Sequence, residues 1–211
     1  MSDGSITHDK HPERLARGLD ISVSAIVLRA RPFRDSDLMA QLLTPSMGKV
    51  SVIGRHARGS KKRFPSSLDL FDRGTARLSR EKNGALSIKE FTPSHSLVKL
   101  RANLDKLTLA SLLCECFDLV LQENTGEDSS ETFEILDLSL NAIDESSDLR
   151  TSLRATLVAL VSLTKREGII DLSALPPGSR ALNAALDAVE RFSEKRLMTR
   201  SALGPILRAI G

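Results

Sequence analysis

The sequence predicts an α+β protein of two unlike parts, a small five-stranded β-barrel followed by an all-α domain. Three observations predict it. Apolar residues alternate with period two over residues 21–91, the period becomes that of helices after Thr92-Pro93, and the charge changes sign near the same place. Residues 1–98 carry 17 Lys and Arg against 10 Asp and Glu, a net +7, whereas residues 99–211 carry 13 against 17, a net −4. The overall charge of +3 therefore hides a basic first half, and a polyanionic partner is expected for that half alone.

The first strand begins at Ile21. Ile21, Val23, Ala25 and Val27 share one face and Ser22, Ser24, Ile26 and Leu28 the other, so both faces are expected to be buried in part. Pro32 lacks a donor and is expected to end this strand, with a second running from Asp37 to Thr44. "TPSMG" supplies a turn in which Gly48 is free to take positive φ. A third strand, Lys49 to about Arg55, puts Val50 and Val52 on one face and Ile53 on the other. Residues 57–66 read as a basic loop, after which Leu68, Leu70, Ala76 and Leu78 keep one parity along a long fourth strand interrupted by Gly74. Asn83-Gly84 signals a type I′ hairpin, and "ALSIKEF" returns as the fifth strand. Five short antiparallel strands fit a closed or nearly closed barrel of OB type better than a sandwich, which needs about seven.

The second half reads as a helical bundle. Leu100, Leu104, Leu107, Leu113 and Phe117 form one stripe, and Phe133, Leu136, Leu140 and Ile143 form another after the acidic loop "QENTGEDSS". Leu149, Leu153, Leu157, Leu160 and Thr164 form a third, closed by Gly168 as a C′ residue. Pro176-Pro177-Gly178 stops the chain before a helix of Ala181, Leu182, Ala185, Leu186, Val189 and Phe192, and a short segment continues from Ser201. The expected organisation is a flexible tail at 1–19, an OB-fold nucleic-acid-binding domain at 20–93 and a helical domain at 97–211.

Composition excludes several classes. The two cysteines give no disulfide framework, no apolar run approaches the ~20 residues of a membrane span, and the polar start has no secretory core, so a cytoplasmic protein is expected. Cys114 and Cys116 lie on opposite sides of a predicted helix and read as structural thiols, while His8, His11, His56 and His95 show no convergent ligand spacing. No metal and no cofactor is expected. No Gly-x-Ser-x-Gly elbow occurs, and no catalytic residue is assigned. The acidic stretch from Glu115 to Glu134 is either a solvated face or a protein-docking surface.

The most informative stretch is "VIGRHARGSKKRF", residues 52–64, which nearly spells a phosphate-binding P-loop. That motif needs Gly-Lys-Ser/Thr and then a helix, so that the lysine reaches the outer phosphates and the hydroxyl holds Mg²⁺. Here Ser60 precedes Lys61 and Pro65 stands where the helix should begin, which removes the nucleotide. A cluster of Arg55, His56, Arg58, Lys61, Lys62 and Arg63 with Gly54 and Gly59 survives, and it is either a solvated basic loop or a surface that tracks a nucleic-acid backbone. Phe33 and Phe64, each beside an arginine, are the candidate stacking rings, with core packing the alternative for Phe64, whereas Phe71 and Phe91 read as core.

Residues 25–64, "AIVLRARPFRDSDLMAQLLTPSMGKVSVIGRHARGSKKRF", resemble the amino-terminal signature of the RecO family of bacterial recombination mediators. The likeness rests on the first-strand "VLR", Asp35-Ser36-Asp37-Leu38, the "LLTP…GK" turn and the basic loop, and it continues more weakly through "RANLDKLTLASLLCECFDLVL". It implies an OB-fold domain followed by a helical domain in a non-enzymatic, nucleoid-associated protein. The implied work is to bind single- and double-stranded DNA, anneal complementary strands, and with RecR and single-stranded DNA-binding protein assist RecA loading. No small-molecule substrate and no membrane is implied. Arg34, Lys49, Arg55, Arg58, Lys61, Lys62, Arg63 and Phe64 are the expected DNA-binding residues. Many members carry a four-cysteine zinc module in the helical domain, where this chain has only "IIDLSALPPGSR", and its carboxy-terminal part is shorter than usual. Two other functions fit the same residues: an OB-fold protein that binds RNA, and an adaptor whose basic loop meets acidic protein tails.

Overall fold

The computed structural model describes residues 20–60, 62–64, 68–123, 128–171, 175–176 and 180–210. The tail at 1–19, with His8 and His11, Lys61, Pro65, part of the acidic loop and Pro177-Gly178 lie outside the described residues. Five strands, β1 Asp20–Phe33, β2 Asp37–Thr44, β3 Gly48–Gly54, β4 Arg73–Arg80 and β5 Leu86–His95, close into a barrel in the order β1-β2-β3-β5-β4. This is the OB-type barrel that the alternation predicts. The long strand β1 makes closure possible, because it pairs with β4 from Asp20↔Ser79 to Ile26↔Arg73 and with β2 from Ile26↔Leu43 to Phe33↔Asp37. The last seam is a parallel one of two rungs between β3 and β5, Val52↔Leu86 and Ile53↔Ser87, so the ladders are not all antiparallel.

Local chemistry explains where the strands differ from expectation. Pro32 does not end β1. It pairs opposite Leu38, in the part of β1 whose ladder with β4 has already ended, and a proline is tolerated on such a one-sided edge. β4 begins only at Arg73, because Leu68 and Phe71 both adopt φ 52, a left-handed conformation that no strand contains. Their side chains are nevertheless fully buried. The Asn83-Gly84 hairpin forms with different geometry from type I′: Gly84 alone has positive φ, at 86, and its N–H donates to the Glu81 carbonyl at 2.9 Å. That is a type I turn followed by a left-handed glycine. β5 runs on through Pro93 to His95 and approaches β4 so closely that a Cβ at Gly74 would lie 2.1 Å from the Thr92 carbonyl oxygen.

Alternation sorts the apolar residues of the barrel into two cores. Ala25, Val27, Leu42, Val50, Val52, Ala76 and Leu78 fill the interior, joined by Phe64 from the basic loop and Leu68 from the segment before β4. Ile26, Leu28 and Leu43 point outward and are just as buried, because helices cover them.

Among the described residues six α-helices follow the barrel: α1 Val98–Arg101, α2 Leu104–Val120, α3 Ser130–Glu145, α4 Leu149–Arg166, α5 Arg180–Ser193 and α6 Leu203–Ile210. The first expected stripe is divided. Asn103 caps α2 by accepting from the Lys106 N–H at 3.1 Å, which leaves Leu100 on α1 and Leu104 exposed at the start of α2. Beyond that start α2 has no single apolar stripe, since barrel, α3, α4 and α5 pack around it and bury Leu109, Leu112, Leu113, Cys116 and Phe117 alike. Gly168, at φ 66, ends α4: its N–H donates to the Lys165 carbonyl and that of Ile169 to Thr164, a Schellman closure. Phe192 does not join the α5 stripe and is 49% exposed.

Gly74→Ala is expected to cost about 1–3 kcal/mol, because its methyl would strike the β5 backbone, whereas Gly168→Ala is expected to cost about 1–2 kcal/mol for left-handed strain alone. Urea denaturation of both variants checks this, and a Gly74→Ala midpoint equal to the parent's would contradict the close approach.

Candidate nucleic-acid interface

Three rungs of the β2–β3 ladder point away from the barrel interior: Leu43↔Lys49, Gln41↔Ser51 and Met39↔Ile53. The helices cover this face from one end. At the first rung Leu43 enters the helical core, and Lys49 is 7% exposed, its Nζ donating to the Asp118 carbonyl at 2.5 Å and lying 3.5 Å from the Asp118 carboxylate. Arg29 Nε reaches the same carboxylate at 3.2 Å. At the second rung Gln41 Nε2 donates to Ser51 Oγ at 2.9 Å and to Glu123 Oε1 at 2.7 Å, just beyond the end of α2. The third rung is open. Met39, Ser51 and Ile53, with Val52, Arg80 and residues 84–86 of the β4–β5 hairpin, line a cleft of about 500 Å³. Arg31 extends beside it, with Nη2 3.3 Å from Met39 Sδ.

The basic loop leaves β3 at Gly54, immediately after this open rung. His56 turns the chain with φ 52, its N–H donates to Asp37 Oδ1 at 2.9 Å, and its Nδ1 lies 2.8 Å from Ser36 Oγ. A short 3-10 turn at Ala57–Gly59 comes next. The loop is then stitched to β5 by the Phe91 N–H, which donates to the Arg63 carbonyl at 2.9 Å. These contacts hold the loop against the β1–β2 turn on one side and β5 on the other.

The expected DNA-binding residues differ in their surroundings. Arg34 is exposed at the tip of the β1–β2 turn, with φ 54 and its guanidinium 5.2 Å from the centre of the Phe33 ring. Lys62 is exposed and Arg63 half-buried, its Nε donating to Ser60 Oγ at 3.0 Å and its Nη2 to the Arg55 carbonyl at 3.0 Å. Arg55 is half-exposed and forks onto Glu81, with Nε–Oε1 3.1 Å and Nη2–Oε2 2.7 Å. The hydrogen bond from Arg55 holds the Glu81 carboxyl below its ordinary value. The Arg58 side chain and Lys61 lie outside the described residues. Two placements correct the sequence expectation. Lys49 is turned into the seam between barrel and helices, and Phe64 is 0% exposed in the barrel core, where it cannot stack a base. Phe33 is the one candidate stacking ring left half-exposed, since Phe71 and Phe91 are also buried.

The cleft sets the apolar side chains of Met39 and Ile53 beside the cations of Arg31 and Arg80, the mixed chemistry that a phosphodiester chain, with its apolar sugars and anionic phosphates, would need. The cleft residues were not singled out from sequence, although the outward parity of Ser51 and Ile53 against inward Val50 and Val52 marks them. The carboxylate partners, Glu81, Asp118 and Glu123, had no such signal, because they lie 26 to 89 residues from the residues they hold.

Nothing in the described residues favours metal or thiol chemistry. No His, Cys, Asp and Glu group there could hold a metal ion, and the two cysteines are buried in α2, where burial pushes the Cys114 thiol up to about 12 and the Cys116 thiol up as well. A cysteine zinc site does not fit this donor set. No helix of the described residues is long and apolar enough to cross a membrane.

Residues 19–97 match the family described as "Recombination protein O N terminal". The chain is 31% identical over 137 residues to the DNA repair protein RecO of Anaeromyxobacter sp. (strain K), covering 64% of this chain and 53% of that one. It is 34% identical over 109 residues to the DNA repair protein RecO of Symbiobacterium thermophilum, covering 51% and 42% respectively. The chain spans about half the length of the curated relatives it matches.

Lys49→Gln is expected to destabilise the fold by about 1–3 kcal/mol, since it removes one of the two cations that meet the buried Asp118 carboxylate and leaves only the more exposed Arg29 there. The same variant should leave the salt dependence of oligonucleotide binding unchanged, because Lys49 meets no phosphate. A flatter slope in Lys49→Gln would show that the lysine leaves the seam to contact nucleic acid.

Proposed function

This chain belongs to the RecO family through residues 19–97, and on that premise we propose that it is a DNA-binding repair and recombination protein without enzymatic activity. The observation that carries the reading is the junction of the open β2–β3 rung with the basic loop. The cleft at Met39, Ser51 and Ile53 leads directly through Gly54 to Arg55, Lys62 and Arg63, with Arg34 on the neighbouring turn. Such a path suits a strand held by its phosphates more than by its bases, because Phe64, Phe71 and Phe91 are all in the core. Weak dependence on the bases is also what strand annealing requires, since a protein that gripped base edges would compete with the complementary strand.

The finer proposal is that the chain binds single- and double-stranded DNA, anneals complementary strands and assists RecA loading, with RecR and single-stranded DNA-binding protein as partners. The relatives, which are DNA repair proteins, support it. The OB-type barrel supports it by offering a groove of the kind that receives nucleic acid.

Reversing Lys61, Lys62 and Arg63 to glutamate is expected to weaken oligonucleotide binding and to flatten the log-log salt slope by about 2 to 3. Unchanged affinity and slope would remove the basic loop from the interface. Annealing of complementary oligonucleotides coated with single-stranded DNA-binding protein should quicken when the chain is added, and a strong preference for RNA of the same sequence would replace the repair reading.

A further inference from the structure

We infer that Glu81 is the resident counter-ion of the phosphate path, occupying on Arg55 the place that a DNA phosphate takes when the strand binds. The inference rests on the reading of the basic loop as the DNA surface. Both Glu81 oxygens engage the Arg55 guanidinium in a fork, at 3.1 and 2.7 Å, which is the geometry an arginine also offers to two oxygens of a phosphate. Half of the Arg55 side chain and about a fifth of Glu81 remain exposed, so a phosphate can reach the guanidinium without opening the core.

The position of Glu81 gives the pair a second consequence. Its carbonyl accepts from the Gly84 N–H at 2.9 Å and its N–H donates to the Ala85 carbonyl at 2.8 Å, so it anchors the hairpin that forms one wall of the cleft. Arg55 in turn accepts the Arg63 guanidinium on its carbonyl at 3.0 Å. One carboxylate thus ties the cleft wall to the basic loop in the free protein. Binding exchanges the carboxylate for a phosphate on the same fork and releases the tie. Each such exchange has little net electrostatic gain, because the freed carboxylate recruits a cation as the phosphate gives one up. Glu81 is therefore a positioning residue that sets how tightly, and with what salt dependence, the strand is held.

The test is fluorescence anisotropy of a labelled oligo-dT over a range of KCl concentrations, with Glu81→Gln, Arg55→Gln and the double variant. Glu81→Gln is expected to bind about two- to fivefold more tightly than the parent, the reach of one exposed ion pair, and to steepen the salt slope by about 0.7. The gain should vanish in the double variant. Glu81→Gln binding no tighter and with an unchanged slope, while Arg55→Gln still weakens binding, would overturn the counter-ion role and leave the DNA surface standing. If neither Arg55→Gln nor reversal of Lys62 and Arg63 changed binding, both the counter-ion role and the DNA surface would be overturned.

Discussion

The buried pairing of Lys49 with Asp118 decides how much of the barrel the helices cover. Both side chains are more than nine-tenths buried, and taking two charges out of water costs several kcal/mol per ion, which their attraction offsets only when the geometry is good. The additional bond to the Asp118 carbonyl and the approach of Arg29 supply that geometry. Such a pair adds little net stability over well-packed apolar residues, yet it tolerates only one register of α2 on β3. With α2 set in that register, Glu123 falls on Gln41 and the cover stops at the second rung. The open third rung is a consequence of where this ion pair sits.

The rest of the seam obeys the same rule of cation against carboxylate. Arg73, nearly fully buried in β4, donates to Asp137 of α3 at 2.7 Å, and Arg101 at the end of α1 meets Asp72 at 2.6 Å and Asp69 at 3.2 Å. The Arg101 guanidinium also lies 4.6 Å from the Phe71 ring centre, which ties the left-handed segment before β4 to the helical half. That segment stores strain at Leu68 and Phe71, and left-handed backbone costs each about 1–2 kcal/mol. Burial of both side chains offsets it, since a fully buried Leu or Phe is worth roughly 1.5–3 kcal/mol. The strain and its compensation lie between the basic loop and β4, so they also settle where the loop ends.

Charge in this chain therefore has two uses that composition cannot separate. The excess of basic residues in the first half read as one polyanion-seeking surface, but Lys49 and Arg29 are engaged by Asp118 and Arg73 by Asp137, carboxylates of the helical half. Two carboxylates of the second half, Asp118 and Asp137, thus answer three cations of the first inside the same molecule. Arg34, Lys62 and the outer faces of Arg63 and Arg55 are left to the proposed interface.

Period-two alternation determined that there are five strands in an OB-type barrel, because burial on one side of a pleated strand forces alternate residues to be apolar, but not where β1 ends or β4 begins. The turn residues "TPSMG" and the end of the third helical stripe identified Gly48 and Gly168 as left-handed positions, since turn and helix-end geometry is a local property. The near P-loop was legible as something other than a nucleotide site from the order of Ser60 and Lys61 alone. Tertiary structure decided what local pattern leaves open. Phe64 beside Arg63 reads equally well as a stacking ring or a core plug, and only the closed barrel, with an interior to fill, makes it a plug. Lys49 reads like any exposed lysine on a strand until α2 brings Asp118 to it from 69 residues away. Alternation specifies which way a side chain points, but whether water, a helix or a carboxylate waits there depends on parts of the chain that meet only on folding.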